Sequence, residues 1–376
     1  MKNNRTFLEK LLDGAKVEWK PLKKVCNFIS TGKLNANAMD ENGIYPFFTC
    51  NEKPYKINNY AFDMEAILIS GNGSQVGHLN YFKGKFNAYQ RTYVIGEFDN
   101  NTLAMYLYHY LNFKLRDYIT INSKKGSVPY ITLPMLEKFE IPIPPLPVQT
   151  EIVKILDALT ALTSELTSEL TLRRKQYEYY REKLLSEEEL GKVGFEWRAL
   201  KDILIRTKGT KITAAEMKVL HKENAPLKIF AGGKTFALVN YSDIPEKDIN
   251  KNPSIIVKSR GIIEFEYYDK PFSHKNEMWS YYSNDKNINI KYIYYILKNQ
   301  EPYFQSLGSK MQMPQIAIPD TDKYLVPIPP PYIQTEIVKV LDKFVNLTNS
   351  ISEGLPLAIE QSHKRYEYYR ELLLSF

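Results

Sequence analysis

Cysteine is almost absent from this sequence: Cys26 and Cys50 are the only two in 376 residues. Two thiols with no histidine beside them cannot supply the four ligands of a structural zinc site, so they read as buried or half-buried thiols. Long apolar runs are missing as well. None approaches the ~20 residues that a membrane-spanning helix needs, and the opening Met1-Lys2-Asn3-Asn4-Arg5 lacks the apolar stretch of a signal peptide. A cytoplasmic protein without membrane contact is the expectation. The five histidines, His78, His109, His221, His274 and His363, are scattered with no HxH or HExxH spacing, which leaves metal binding unsupported. Gly71-Asn72-Gly73-Ser74-Gln75-Val76-Gly77 sets its last glycine one place too far for a dinucleotide fingerprint. Gly233-Lys234-Thr235 has the look of a phosphate-loop ending, but Lys228 stands where the leading glycine belongs, so it reads as a turn. Asp320 and Asp322 lack the further carboxylate and lysine that a nuclease site needs to hold a metal against phosphate. No catalytic, metal or cofactor site is expected.

What is present suits two soluble domains of ordinary size, with 44% apolar and 25% charged residues. A formal net charge of +7, from 50 Lys and Arg against 43 Asp and Glu, tips the balance slightly towards a polyanionic partner. Arrangement says more than composition. Ile141-Pro142-Ile143-Pro144-Pro145, followed by Gln149-Thr150-Glu151-Ile152-Val153, returns 185 residues later as Val326-Pro327-Ile328-Pro329-Pro330 and Gln334-Thr335-Glu336-Ile337-Val338. Gln176-Tyr177-Glu178-Tyr179-Tyr180-Arg181-Glu182 returns as Arg365-Tyr366-Glu367-Tyr368-Tyr369-Arg370-Glu371, now 189 residues on, so the second copy has gained four residues in between. Val17-Glu18-Trp19-Lys20 and Phe195-Glu196-Trp197-Arg198 open the two variable regions.

The segments after the prolines predict long helices, because proline is tolerated at the first turn, where a backbone N–H has no partner. Alternating steps of four and three trace an apolar seam through Ile152, Leu156, Leu159, Thr163, Leu166, Leu170, Arg173, Tyr177, Tyr180 and Leu184. The same count runs from Ile337 through Leu341, Phe344, Thr348, Ile351 and Leu355. It then needs an extra step of four to reach Ile359, Ser362, Tyr366, Tyr369 and Leu373. Gly354 and Pro356 stand at that stutter, so the second helix is expected to kink or break there. Two matching seams in one chain predict an antiparallel coiled coil about a pseudo-twofold axis, with the first helix roughly 60 Å long at 1.5 Å per residue.

The regions between, 17–145 and 195–330, read as mixed α/β, each with a short apolar strand leading into a glycine turn and later an aromatic helix (103–115 and 292–304). Gly71, Asn72, Gly73, Ser74 and Gln75 follow the first such strand, where backbone amides can approach phosphate, with Lys83, Lys85, Gln90 and Arg91 downstream. Lys258, Ser259, Arg260 and Gly261, then His274, Lys275 and Asn276, stand at the corresponding place in the second region. Lys124 and Lys125 before Pro129, and Lys310 and Gln312 before Pro314, form a later matched pair of loops. Such residues suit phosphate positioning and base-edge reading, since Arg or Lys prefers guanine and Asn or Gln adenine. A pure protein scaffold and an RNA-binding module that stacks bases on tyrosine are the alternatives.

With these motifs the sequence resembles the specificity subunits of type I restriction-modification systems along essentially its whole length. Thr163-Ser164-Glu165-Leu166, repeated as Thr167-Ser168-Glu169-Leu170, looks like the four-residue tandem repeat that some members carry in the first spacer helix. The resemblance implies a mixed α+β fold with two globular target-recognition domains, 1–145 and 191–330, and two spacer helices, 146–190 and 331–376. Each domain would read one half of an asymmetric bipartite sequence in double-stranded DNA. The helices would pair with each other and dock two methyltransferase subunits, with ATP-dependent restriction subunits joining the larger complex. Motif by motif, the helix segments carry over to Gln149, Ile152, Tyr177 and Tyr180, and to Gln334, Ile337, Tyr366 and Tyr369.

Overall fold

The computed structural model describes residues 7–122, 129–308, 313–350 and 353–376. The chain forms two compact units, residues 1–167 together with 358–376, and residues 168–357. Each unit owns one variable region, a stretch of the first long helix and a stretch of the second helical segment.

The strands of the first unit are β1 (Glu18–Pro21), β2 (Cys26–Thr31), β3 (Tyr45–Phe48), β4 (Tyr55–Ile57), β5 (Phe62–Ser70), β6 (Leu79–Ala88), β7 (Thr92–Phe98) and β8 (Glu140–Ile143). Six of them make one sheet in the order β2-β7-β5-β6-β3-β4, while β1 pairs with β8. Side chains alternate across a strand, so the unbroken apolar run Ala66-Ile67-Leu68-Ile69 marks β5 as covered on both faces. Ile67 and Ile69 enter the main core with the helix Ala104–Asn122, whereas Ala66 and Leu68 meet Phe48, Phe86 and Val94 on the other face. That helix buries Tyr106, Leu107, Tyr110, Leu111 and Leu115, one stripe at helical spacing.

In the second unit the strands are β9 (Glu196–Ala199), β10 (Ile205–Thr207), β11 (Leu227–Phe230), β12 (Phe236–Val239), β13 (Ser254–Lys258), β14 (Glu264–Tyr268), β15 (Phe272–His274), β16 (Trp279–Tyr282) and β17 (Leu325–Ile328). The domain helix, expected as one segment over 292–304, is two here, Ile290–Asn299 and Glu301–Gly308, while the strand plan repeats with one break. Where β6 runs through Gly84 at φ +130°, the second unit has Asp269-Lys270-Pro271, and proline cannot continue a ladder. The strand is cut into β14 and β15, and the sheet into β10-β16-β13-β14 and β12-β11-β15. The central strand β13 is again covered twice: Ile255 and Val257 pack with Tyr292 and Ile296, and Ile256 with Phe230, Phe272 and Met278.

Each variable region is fixed to its long helix by the same joint. Gln149 is fully buried; its Nε2 donates to Asn101 O at 2.7 Å and Pro144 O at 2.8 Å, and its Oε1 accepts from Leu103 N at 2.9 Å. Gln334, also fully buried, donates to Asn287 O at 3.0 Å and Pro329 O at 2.8 Å and accepts from Asn289 N at 2.8 Å. One amide thus satisfies three backbone groups ahead of the domain helix and ahead of the long helix. Buried polar groups left without partners would cost about 1–3 kcal/mol each. Tyr106 and Tyr292 repeat the logic: each buried phenol donates to a proline carbonyl, Pro142 O at 2.7 Å and Pro327 O at 2.9 Å.

The first long helix runs unbroken over Leu146–Leu184, and a separate turn of helix, Glu187–Gly191, follows under a Ser186 cap. The second segment is two helices, Pro331–Asn349 and Gly354–Leu374, so the predicted stutter is a full break. Gly354 has φ +79°, and a Cβ there would lie 2.7 Å from Asn346 O and 2.8 Å from Leu347 O; only glycine fits. Within the first unit the helices run antiparallel: Thr163 Oγ1 bonds Ser362 Oγ at 2.8 Å, while Asp157, earlier in the chain, faces Tyr366, later. Within the second unit Tyr180 stacks on Phe344 with ring centres 5.6 Å apart, and Tyr177 tilts against the same ring at 6.4 Å.

Candidate nucleic-acid interface

Three loops converge in each unit, and backbone bonds place them alike. In the first unit they follow β3, follow β5 and join β6 to β7. Tyr89 N donates to Phe48 O at 2.8 Å and Gly71 N to Arg91 O at 2.9 Å. The Cys50 thiol donates to Asn72 Oδ1 at 3.2 Å, tying the first loop to the second. In the second unit Lys275 N donates to Phe230 O at 2.9 Å, and Ser259 Oγ donates to Glu277 O at 2.6 Å, where Gly71 uses its backbone N–H. A Cβ on Gly71 would stand 2.5 Å from Arg91 O, which is why glycine occupies that position. Ile131 N on Gly71 O and Ile316 N on Ser259 O, at 2.9 and 3.0 Å, complete the match. Asn72-Gly73-Ser74 and Arg260-Gly261-Ile262 therefore form one turn in two sequences, with Gly73 at φ +84° and Gly261 at φ +75°.

In the first unit Gly73, Ser74, Gln75, Gln90 and Arg91 are exposed in this cluster, Asn72 is half-buried and Gly71 is buried. Lys83 and Lys85 lie mid-strand in β6, opposite Glu65 and Asp63 of β5, and the Lys85 ammonium sits 4.6 Å from the Tyr60 ring centre. Lys124, Lys125, Lys310 and Gln312 lie outside the described residues.

The second unit corrects several expectations. Lys258 is buried, with Nζ 2.8 Å from Glu266 Oε2 and 3.4 Å from Glu264 Oε2, so its charge is answered internally. His274 is fully buried; Nδ1 lies 3.0 Å from Lys275 O and Nε2 3.3 Å from Ser280 Oγ, and burial pulls its pKa below the usual range. It is a neutral core histidine. Ser259 is buried as well, and Lys275 is half-buried with Nζ 2.6 Å from Glu277 Oε1. Arg260 and Asn276 remain exposed.

The loop after β11, Gly232-Gly233-Lys234-Thr235, is the turn expected from the sequence, but its place in the site was not foreseen. It is one wall of a groove of about 840 Å³, whose lining includes Phe236, Ile262, Met278 and Met313 beside Arg260 and Lys218. The signal was available: a glycine pair between two strands, at the place that the loop after β3 holds in the first unit.

On the helices, Gln149 and Gln334 do not face a partner; they are the joints described above. Ile152, Leu156, Ile337, Leu341 and Leu373 are buried in the unit cores, and Leu159, Leu166, Leu170, Tyr177, Leu184, Phe344, Tyr366 and Tyr369 are half-buried along the seam. Tyr180, though 41% exposed, stacks on Phe344. The outward tyrosines are their neighbours Tyr179 and Tyr368, 57% and 63% exposed at equivalent positions. Among the described residues no helix is long and apolar enough to cross a membrane, and no group of three or more His, Cys, Asp or Glu side chains could hold a metal ion.

The family model described as "Type I restriction modification DNA specificity domain" matches twice, over residues 15–173 and 192–361. A putative type I restriction enzyme specificity subunit of Haemophilus influenzae is 38% identical over 404 aligned positions, covering all of both chains. The EcoR124I/EcoR124II specificity subunit of Escherichia coli is 31% identical, covering 99% of this chain and 97% of its own. Among solved structures, the type I restriction-modification S subunit from M. genitalium superposes with a TM-score of 0.64 at 16% identity, covering 100% of this chain and 96% of that one. A second, from work on complex assembly and conformational transition of the type I system, has a TM-score of 0.55 at 14% identity, over 96% and 98% of the two chains. Two copies of the specificity domain, a repeated mixed α/β fold on long helices and full-length relatives place this chain in the family of type I restriction enzyme specificity subunits.

Proposed function

We propose that the chain reads an asymmetric, bipartite sequence in double-stranded DNA, one half through each three-loop cluster, and contributes no catalytic group of its own. Residues 1–145 and 191–330 act as the target-recognition domains, and 146–190 and 331–376 as spacer helices that dock two methyltransferase subunits. ATP-dependent restriction subunits complete the larger assembly, which works on DNA in the cytoplasm. One observation carries this reading: the loop clusters share two backbone bonds and a central turn glycine but differ in their exposed side chains, as two heads built alike for different targets require. Exposed Arg91, Gln90 and Arg260 offer the donors that base edges accept. The paired helices supply repeated exposed aromatics, Tyr179 and Tyr368, which suit partners that come in two copies.

Binding of the chain with its methyltransferase subunits to duplex DNA across a salt series tests the proposal. Phosphate contact predicts affinity falling steeply with salt. Salt-independent or absent binding would favour a protein scaffold, and preference for single-stranded RNA would favour base stacking. The spacer role has its own test. One further Thr-Ser-Glu-Leu repeat adds about 6 Å of helix, so the preferred spacer in the DNA should lengthen while both half-sites stay fixed. Altered half-sites or an unaltered spacer would reject that role.

A further inference from the structure

The matched turns carry opposite chemistries at their tips. In the first unit the tip is Ser74, beside Asn72, Gln90 and Arg91, all of them hydrogen-bonding side chains. In the second it is Ile262, 63% exposed, with Met313, also 63% exposed, and Phe236, 47% exposed, lining the same groove. Large apolar side chains held in water around a glycine turn mark a surface that something covers. What covers it must also tolerate cations, because Arg260 and Lys218 line the groove, and its acid, Glu277, is already engaged by Lys275 at 2.6 Å. A polyanion with an apolar projection meets both demands. Among the four base pairs only those with thymine present one in the major groove, the C5 methyl.

We infer that the second unit reads a thymine by its methyl group through Ile262 and Met313, beside the hydrogen bonds that Arg260 offers, whereas the first unit reads its half-site by hydrogen bonding alone. The inference rests on the DNA-reading proposal and adds the base and the residues that select it. It also accounts for why the loop residues expected to bond with DNA in the second unit are turned inward: Lys258 to Glu266 and Ser259 to Glu277 O. The groove they leave is apolar.

Deoxyuridine keeps every hydrogen-bonding group of thymine and lacks only the methyl. The experiment uses the chain complexed with its methyltransferase subunits and a duplex carrying the target found by methylation mapping. Thymines are replaced by uracil one at a time in each half-site. The second unit's half-site is the one that changes when residues 195–330 are exchanged for those of a relative. At least one replacement in that half should weaken binding roughly fourfold, the worth of one buried methyl, and none in the other half should do so. The double variant Ile262→Ser, Met313→Ser should bind thymine and uracil duplexes alike. Equal affinity of the unaltered complex for both duplexes, a second half-site without thymine on either strand, or a thymine preference surviving in the double variant would overturn the inference and leave DNA reading intact. Failure of the complex to prefer its mapped target over unrelated duplex would instead overturn the proposal beneath it.

Discussion

The Gln149 and Gln334 amides make the same three bonds in the two units, whereas the turns at Ser74 and Ile262 share a backbone and its central glycine but no side chain. Between these extremes lies the contact of each domain helix with its long helix. His109 Nε2 donates to Asp157 Oδ1 at 2.8 Å in the first unit, and the Tyr295 hydroxyl donates to Asp342 in the second. The acceptor is kept and the donor is free to vary, because any side chain of the right reach satisfies one carboxylate. Chemistry is therefore held fixed where a domain meets a helix, relaxed one step out and abandoned at the loop tips. A shared frame carrying two readers would be graded in this way.

The comparison can be broken at its firmest point first. Gln149→Leu and Gln334→Leu each strand two carbonyls and one N–H at a buried site, and each should cost roughly 3 kcal/mol or more, read by urea unfolding. Comparable losses would confirm one joint used twice; loss in only one unit would deny it. Next come the loops. Arg91→Ala and Arg260→Ala should each weaken binding to the intact target by about 1–3 kcal/mol and relax selectivity in one half-site only, a different half for each. Binding measured against single-base variants of both halves checks this. The smallest effect concerns pH. Burial pulls the His109 pKa below the ordinary 6.5, outweighing the opposite pull of Asp157. The unfolded chain therefore holds more protons than the folded one in the window just below 6.5, so stability contributed by the neutral ring is lost as pH falls through that window. Tyr295 carries no charge change near neutrality, since burial and Asp342 push its pKa well up. His109→Tyr, which gives the first unit the donor of the second, should flatten the dependence of unfolding on pH between about 5 and 7.

Much of the frame was legible in the sequence because it is repeated there. The Pro-Pro and Gln-Thr-Glu-Ile-Val motifs located both helices, and the four-residue gain located the break that the structure puts between Asn349 and Gly354. The turn at Gly71–Ser74 was legible because it departs from strand chemistry. Lys258 and His274 were misread because sequence spacing says nothing of register. The pairing of β13 with β14 sets Lys258 opposite Glu264, with Glu266 in reach, and the parallel pairing of β15 with β11 carries His274 into the core. Gln149 was grouped with the partner-facing helix residues because the family resemblance carried over the whole helix motif, and only the carbonyls gathered around it reveal an internal clamp. The groove of the second unit draws its apolar lining from segments far apart in the chain, around 217, 236, 262 and 313, and no local pattern unites them.

The central claim is that each unit reads its own half of one target. Exchanging residues 195–330 for those of a relative with a different target, restoring the complex with its methyltransferase subunits, and mapping the methylated sequence tests it directly. The account predicts that one half-site is replaced while the other half-site and the spacer between them stay as they were. Replacement of both halves, or of neither, would contradict it.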